Sequence, residues 1–334
     1  MNQWKVLFSH NFLGVITSIE INRTGIAVSN NTSIRFLNFQ GKEIWELKLP
    51  FKPYKIKSNK NLLGVLMGNG FIVIDSETGK QLHEGRSTQG GFSQIINRPG
   101  GGWILTDRND KIHIFNQKGF GIKRLFSGKV RRMLGWIDRE HLIVHDGDGC
   151  MRCLKLLSEA TQRQLEEKLW SWASDLKNGE MILQSKSGQI MKGKPNRIGW
   201  DHLECISEKS IEISESVWTK DGWWILDMEN RLMNINNSQT FSNFGDIIAS
   251  DDDKIIVIAN KNGLLRIIVS DELIKDRNRK ILFEFERIKF NLDTVEKQHI
   301  FKKAKIEELT KNELDAKNLH NSLEIEPKNK EERR

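Results

Sequence analysis

Cys150-Met-Arg-Cys153 has the spacing at which two thiolates commonly share a zinc ion, and His141, His145 and Cys205 are further ligands of suitable type. The surrounding residues pattern as a β-strand, and residues three apart on a strand point to opposite faces. One ion then cannot take both thiolates unless a bulge turns one of them. Buried structural cysteines are therefore expected, and no metal site. Asp251-Asp252-Asp253 and the pair Asp146 and Asp148 around Gly147 are rich in oxygen ligands. A calcium loop needs such ligands at alternate positions with an acidic residue downstream, an order neither stretch supplies. Both read as turns. No phosphate-binding glycine loop, dinucleotide fingerprint, nucleophile elbow or zinc-protease helix is present in the sequence, so no catalytic residue and no cofactor is expected.

Charge offers a different chemistry. Lys and Arg number 52 against 44 Asp and Glu, a formal net charge of +8 that suits an acidic partner. Lys129, Arg131 and Arg132 form the best local cluster, with Lys52 and Lys55 at the corresponding place one repeat pair earlier, and Arg108 in a tight turn between them. Trp172 is one of ten tryptophans and sits where a ring beside a cation would make a binding hot spot. These seven residues are the candidate partner-binding set.

The elements that position them are short paired strands. Gly102 to Asn116 reads as an apolar run, a polar turn and a second apolar run, that is, a hairpin. Trp103, Ile104 and Leu105 are consecutive and apolar, so both faces of the first strand must be covered, which a lone hairpin cannot do. Marking the last apolar residue of each such strand gives Val28, Leu66, Leu105, Val144, Leu183, Leu226 and Ile258, at steps of 38, 39, 39, 39, 43 and 32. A period near 39 with four strands per unit is that of a β-propeller blade. The expected fold is all-β: a seven-bladed β-propeller of four-stranded antiparallel blades over 1–270, with a C-terminal α-helical charged extension.

Inner strands are expected near Val15–Asn22, Tyr54–Ser58, Ser93–Asn97, Arg132–Ile137, Trp170–Ser174, Ser216–Lys220 and Asp246–Ser250. Residues 3–9 alternate and are expected to close the seventh blade as its outer strand, leaving no open edge between the chain ends. Ser158–Lys168 is rich in helix formers and predicts a helical turn in the fourth unit. Ile281–Phe290 can alternate as a strand, but its apolar residues also fall along one helical face, and a helix is preferred. The expected organisation past the propeller is a helical arm over 271–320 and a disordered charged tail over 321–334, in which charged residues dominate and aromatics vanish after Phe301.

Two stretches carry a resemblance. Asp75 followed by Thr78-Gly79-Lys80, and Gly41-Lys42 followed by Trp45, resemble the quinoprotein-type repeat of the WD40-like and quinoprotein-like β-propeller superfamily. His83 stands near the tryptophan position in the first stretch and the threonine is missing from the second. The lone Trp200-Asp201 does not fall where a WD40 repeat puts its Trp-Asp. The resemblance implies an architecture and not an activity.

The N-terminus lacks a signal-peptide pattern, no apolar run approaches the length of a membrane span, and three cysteines do not make a disulfide framework. A cytoplasmic protein without membrane insertion is expected. The function expected is a non-enzymatic protein–protein interaction scaffold. The alternatives are a nucleic-acid-associated propeller using a basic face, and an enzyme or cofactor-binding propeller with its site at the channel mouth.

Overall fold

The computed structural model describes residues 3–12, 14–68, 70–86, 91–156, 160–207, 211–242, 245–276 and 310–318. It contains seven four-stranded antiparallel sheets arranged as the blades of a β-propeller. Blade 3 shows the pattern: Phe92–Asn97 is innermost, then Trp103–Asp107, Lys111–Phe115 and Gly121–Phe126. Blades 1 to 6 run in this simple order from the channel outward. The seventh sheet has the order Ile247–Ser250, Ile255–Ala259, Leu264–Ser270, and then Trp4–Asn11 from the start of the chain.

The chain divides into two compact units, the first Phe8–Ile268 and the second Met1–Leu7 with Val269–Arg334. In the second unit, the Asp271 amide donates to the Gln3 carbonyl at 2.8 Å and Lys5 pairs with Asp271 at 3.5 Å. Residues 271–276 and 310–318 are helical there. The preferred helix at Ile281–Phe290 and the tail over 321–334 lie outside the described residues.

Consecutive apolar residues explain why the blades stack. Neighbouring side chains on a strand point to opposite faces, so Trp103 and Leu105 enter one core with Leu66, Phe71 and Val73 of blade 2. Ile104 between them enters another with Met133, Leu142 and Val144 of blade 4. Blade 2 is split in the same way: Leu63 and Val65 face Ile34 and Phe36 of blade 1, and Leu62 and Leu66 face blade 3. All five residues of Trp103–Asp107 are buried, whereas the outer strand Gly121–Phe126 buries only Leu125.

The turns are held by their own side chains. Asp107 Oδ1 accepts the Asn109 and Lys111 amides, Asp146 Oδ1 those of Asp148 and Cys150, and Asp227 Oδ1 those of Glu229 and Arg231. The second oxygen in each case faces a cation: Arg124 at 3.4 Å, Arg152 at 2.7 Å and Arg231 at 2.7 Å. A carboxylate that caps a turn and meets an arginine tolerates burial. This accounts for the acidic residues around Gly147.

Glycines in the turns before three outer strands receive aromatic rings from the neighbouring blade. Gly41, with φ +78°, packs on Phe8; Gly79, with φ +71°, on Trp45; and Gly119, with φ +93°, on His83. Trp45 also donates its Nε1 proton to the Ser76 carbonyl at 2.9 Å, so the indole is fixed at both ends.

The fourth blade corrects one expectation. Ala160–Gln164 within the anticipated helical turn is a strand, paired from Leu156↔Ala160 to Arg152↔Gln164. Pairing with Met151–Leu156 and burial of Leu165 at the next blade's core outweigh helix propensity here.

At Gly79, a Cβ would lie 2.7 Å from the Trp45 ring as well as in the left-handed region, whereas Gly179, at φ +77°, has open space around it. Gly79→Ala is expected to destabilise by about 2–3 kcal/mol and Gly179→Ala by about 1 kcal/mol. Denaturant unfolding of both variants measures the difference, and equal losses would remove the ring-docking explanation.

Candidate functional site

In an antiparallel blade the start of the inner strand lies beside the end of the second, the start of the third and the end of the fourth. Phe92↔Asp107, Thr106↔Ile112 and Lys111↔Phe126 show this in blade 3. Connections between blades and the turns capped by Asp107, Asp146 and Asp227 therefore share one end of the propeller, the front face. Turns leaving the inner strands share the opposite, back face.

The sequence-selected residues divide between the front face and the channel. Lys52 precedes the inner strand of blade 2, Arg108 lies in the second turn of blade 3, and Lys129 and Arg131 lie on the connection into blade 4. All four are exposed, and none has an ion-pair or hydrogen-bond partner through its side chain among the described residues. Phe51 beside Lys52 is 41% exposed. Arg131 is tied at its backbone, its amide donating to the His145 carbonyl at 2.9 Å. His145 is held below its ordinary value by burial, with the Arg131 charge adding to the effect.

Arg132 opens the inner strand Arg132–Trp136, and strand alternation turns it away from Arg131 into the channel. Its Nη1 donates to the Ala173 carbonyl at 2.8 Å, its Nη2 reaches Asp175 Oδ1 at 3.1 Å, and its guanidinium lies 5.6 Å from the centre of the Trp172 ring. Trp172, on the inner strand of blade 5, thus lies beside a cation while packing against the core that holds Ile182, Ile213 and Trp223. Lys55, on the inner strand of blade 2, contributes its charge to the same Asp175.

Sequence reasoning missed the centre of this network. Asp175 also takes Lys57 of blade 2 at 3.4 Å, and Lys57 lies 4.0 Å from Glu20 of blade 1. Glu20 in turn accepts the Ser58 amide and hydroxyl at 2.9 and 2.8 Å, which ties blades 1 and 2. Lys177 pairs with Asp252 of blade 7 at 2.6 Å. Asp175 and Lys177 both come from residues 174–180, a longer connection than the 60–61 turn of blade 2. That connection carries a tip of its own: the Lys177 and Glu180 backbones pair in both directions at 2.9 Å around Asn178, φ +51°, and Gly179. The Leu176 amide donates to the Leu134 carbonyl at 2.6 Å and its side chain fills the space beside Gly135. An Asn-Gly pair is the available sequence signal for such a tip.

Burial alone would raise the Asp175 carboxyl, but Lys57 and Arg132 outweigh it and hold the group well below the usual carboxylate range. Burial alone would lower Lys57, and Glu20 and Asp175 outweigh it, holding the ammonium above its ordinary value. A cavity of about 430 Å³ opens at the back face beside these groups, lined by Glu20, Asn22, Lys57, Lys177 and Asp252 among others. Glu20, Lys57, Lys177 and Asp252 are paired among themselves or with Asp175, which cross-braces the back end of the channel.

The candidate metal ligands lie apart in function. Cys150 and Cys153 are buried, and burial raises both thiols. Cys205 is exposed on the outer strand of blade 5. His141 Nδ1 lies 2.9 Å from Asp138 in its own turn, and His145 Nε2 lies 3.1 Å from the Trp170 carbonyl. Among the described residues, no group of three or more His, Cys, Asp or Glu is placed to hold a metal ion. No helix among them is long and apolar enough to cross a membrane.

No protein-family model matches the chain, and no curated protein matches its sequence.

A carboxyl held low in the folded chain stabilises it above the ordinary value near pH 4, and that stability drains away as pH falls further. Asp175→Asn is expected to cost about 1 kcal/mol at pH 7, a small figure because water reaches a third of the Asp175 side chain, 35%. Below about pH 4 the variant should lose stability less steeply than the wild type. Urea unfolding across that range checks this, and parallel acid limbs would contradict it.

Proposed function

We propose that this β-propeller is a non-enzymatic, cytoplasmic interaction scaffold whose front face, over blades 2 to 4, binds an acidic segment of a protein partner. The observation that carries this reading is the gathering of Lys52, Arg108, Lys129 and Arg131 on one end of three adjacent blades, each exposed and without a side-chain partner among the described residues. Lys52, Arg108 and the Lys129–Arg131 stretch are far apart in the chain and reach the same end of the propeller through the blade repeat. Unpaired exposed cations raise the rate of encounter with an acidic partner and select against a basic one.

A protein partner is favoured over a nucleic acid by what surrounds the cations. Phe51 and Val15, each 41% exposed on connections into blades 2 and 1, supply apolar surface beside the charge. Arginine next to aromatic and aliphatic side chains is the composition of protein interfaces. Arg132 is committed instead to Asp175 and the Ala173 carbonyl, with the Trp172 ring beside it.

The test is affinity capture from nuclease-treated extract of the source cells, with the wild type and a Lys52→Glu/Arg108→Glu/Lys129→Glu/Arg131→Glu variant side by side. All four residues are exposed, so the variant should fold, with thermal melting as the check. A discrete protein is expected on the wild type, absent from the variant and released as salt rises toward about 0.5 M. Identical recovery on both proteins, or wild-type binding lost only after nuclease treatment, would contradict the proposal.

A further inference from the structure

Antiparallel register places two indoles side by side at the back of blade 6. Trp218, near the end of the inner strand Ile213–Thr219, stands directly opposite Trp223, near the start of Gly222–Asp227. Directly opposed side chains share one face of a sheet, and both rings pack with Ile182 and Ile190 of blade 5. Trp223 is 3% exposed, and its Nε1 is buried without a hydrogen-bond partner among the described residues. Buried indole donors ordinarily meet an acceptor. Trp45 does so at the boundary of blades 1 and 2, where Ser76 supplies the carbonyl.

The two indoles line a cavity of about 220 Å³ between blades 5 and 6, together with Ile182, Ile206 and Ile235. Back-face turns contribute Asn178, Lys220 and Asn236 to the same lining, so the cavity lies at the back of the propeller. Between blades 1 and 2, and between blades 2 and 3, an outer-strand ring seals the equivalent cleft against a turn glycine: Trp45 on Gly79 and His83 on Gly119. Blades 5 and 6 lack both parts of that seal. Residues 235–239 contain no glycine, and Trp200 of the outer strand of blade 5 belongs to the core shared with blade 4. The walls are nevertheless fixed. Asn236 is held beside Gly222, φ +106°, by donating to the Asp221 carbonyl at 3.2 Å, and the Ile235 amide donates to the Trp223 carbonyl at 3.0 Å.

Charge and size select the occupant. The ionisable side chains in the lining are Lys192, Lys220 and Glu180. Lys192 stands opposite Ile182 in register and pairs with Glu180 at 3.1 Å, while Lys220 pairs at 2.8 Å with Asp253, which is not in the lining. The Lys220 side chain is 63% exposed, so turning it from Asp253 to a second anion costs little. A cavity of about 150 Å³ holds benzene, so this one takes a single ring with a short substituent. We propose that the cleft between blades 5 and 6 binds a small monocyclic aromatic carboxylate. Its ring packs on Trp218 and Trp223, a carboxylate oxygen accepts the Trp223 Nε1 proton, and the two lysines supply the opposite charge. Small-molecule sites are built in this way, from apolar walls and a few convergent polar groups. A cationic ligand would meet the lysines, and a ligand without an acceptor would leave the indole donor unmet. The site uses none of the four front-face cations, so this reading and the scaffold reading stand or fall separately.

Phenylacetate is the probe, titrated into the full chain with its indole nitrogens labelled with nitrogen-15. The Trp223 N–H signal, assigned by its absence from Trp223→Phe, is expected to move downfield and saturate with a Kd below about 1 mM. Affinity, read by ligand-observed NMR, should fall at least about tenfold in Trp223→Phe, which keeps a ring and loses the donor, and stay unchanged in Lys52→Glu/Arg131→Glu. Lys220→Gln, at an exposed position, should melt with the wild type and bind several-fold more weakly, which keeps the test open if Trp223→Phe does not fold. Benzylamine, with the ring and the opposite charge, and acetate, with the charge and no ring, should both leave the Trp223 signal in place. An unmoved Trp223 signal at about 10 mM phenylacetate would overturn the proposal. Equal movement with benzylamine or acetate would do the same, as would undiminished affinity in a folded Trp223→Phe.

Discussion

The structure depends on one constraint: the strands in the middle of each blade are apolar on both faces, and a four-stranded sheet can cover neither face by itself. Ile104 and Leu105 are neighbours in sequence yet belong to different cores, one shared with blade 4 and the other with blade 2. The same division holds for Leu62 and Leu63 in blade 2. Each sheet therefore needs a sheet on either side, and a row of such sheets has no satisfactory end short of a ring. The aromatic rings set over Gly41, Gly79 and Gly119 extend this contact to the outer rim of the first blades.

Closing the ring creates the opposite condition at its centre. Inner strands face a water-accessible channel and carry polar side chains there, and the narrow space brings charges from distant blades within reach of one another. Lys57, Arg132 and Asp175 solve this by mutual pairing, with Glu20 and Ser58 continuing the network across the blade 1 and 2 boundary. Residues 174–180 bring Asp175 and Lys177 to this network at the back of the channel. At the front face the carboxylates of Asp107, Asp146 and Asp227 pair with arginines of their own blades instead.

Much of this was legible in the chain because it is set locally. Paired apolar runs around a polar turn located the hairpins, and Asp107, Asp146 and Asp227 fall in those turns because a short acidic side chain caps its own loop. Inner strands came out within a few residues of their observed bounds, as at Arg132–Trp136 against an expected Arg132–Ile137. Residues 160–164 misled because helix propensity is weaker than an available strand partner. The basic cluster was recognisable as a cluster, but its division was not: Arg131 stays on the face while Arg132 turns into the channel, a distinction set by strand phase and the position of Asp175. The Lys57–Asp175 pair spans 118 positions and exists only because the ring brings blades 2 and 5 to a common centre. No local pattern encodes it.

Native-state hydrogen exchange, followed strand by strand, tests most directly whether the blades stand or fall together. If the two-sided cores make the ring one cooperative body, the amides of Ile26–Ser29, Leu62–Met67, Trp103–Asp107, His141–His145, Met181–Ser185, Gly222–Asp227 and Ile255–Ala259 should share a single opening free energy that falls with denaturant at one slope. Separate openings for groups of neighbouring blades, with the remainder still protected, would show that the blades do not require one another and would contradict the account.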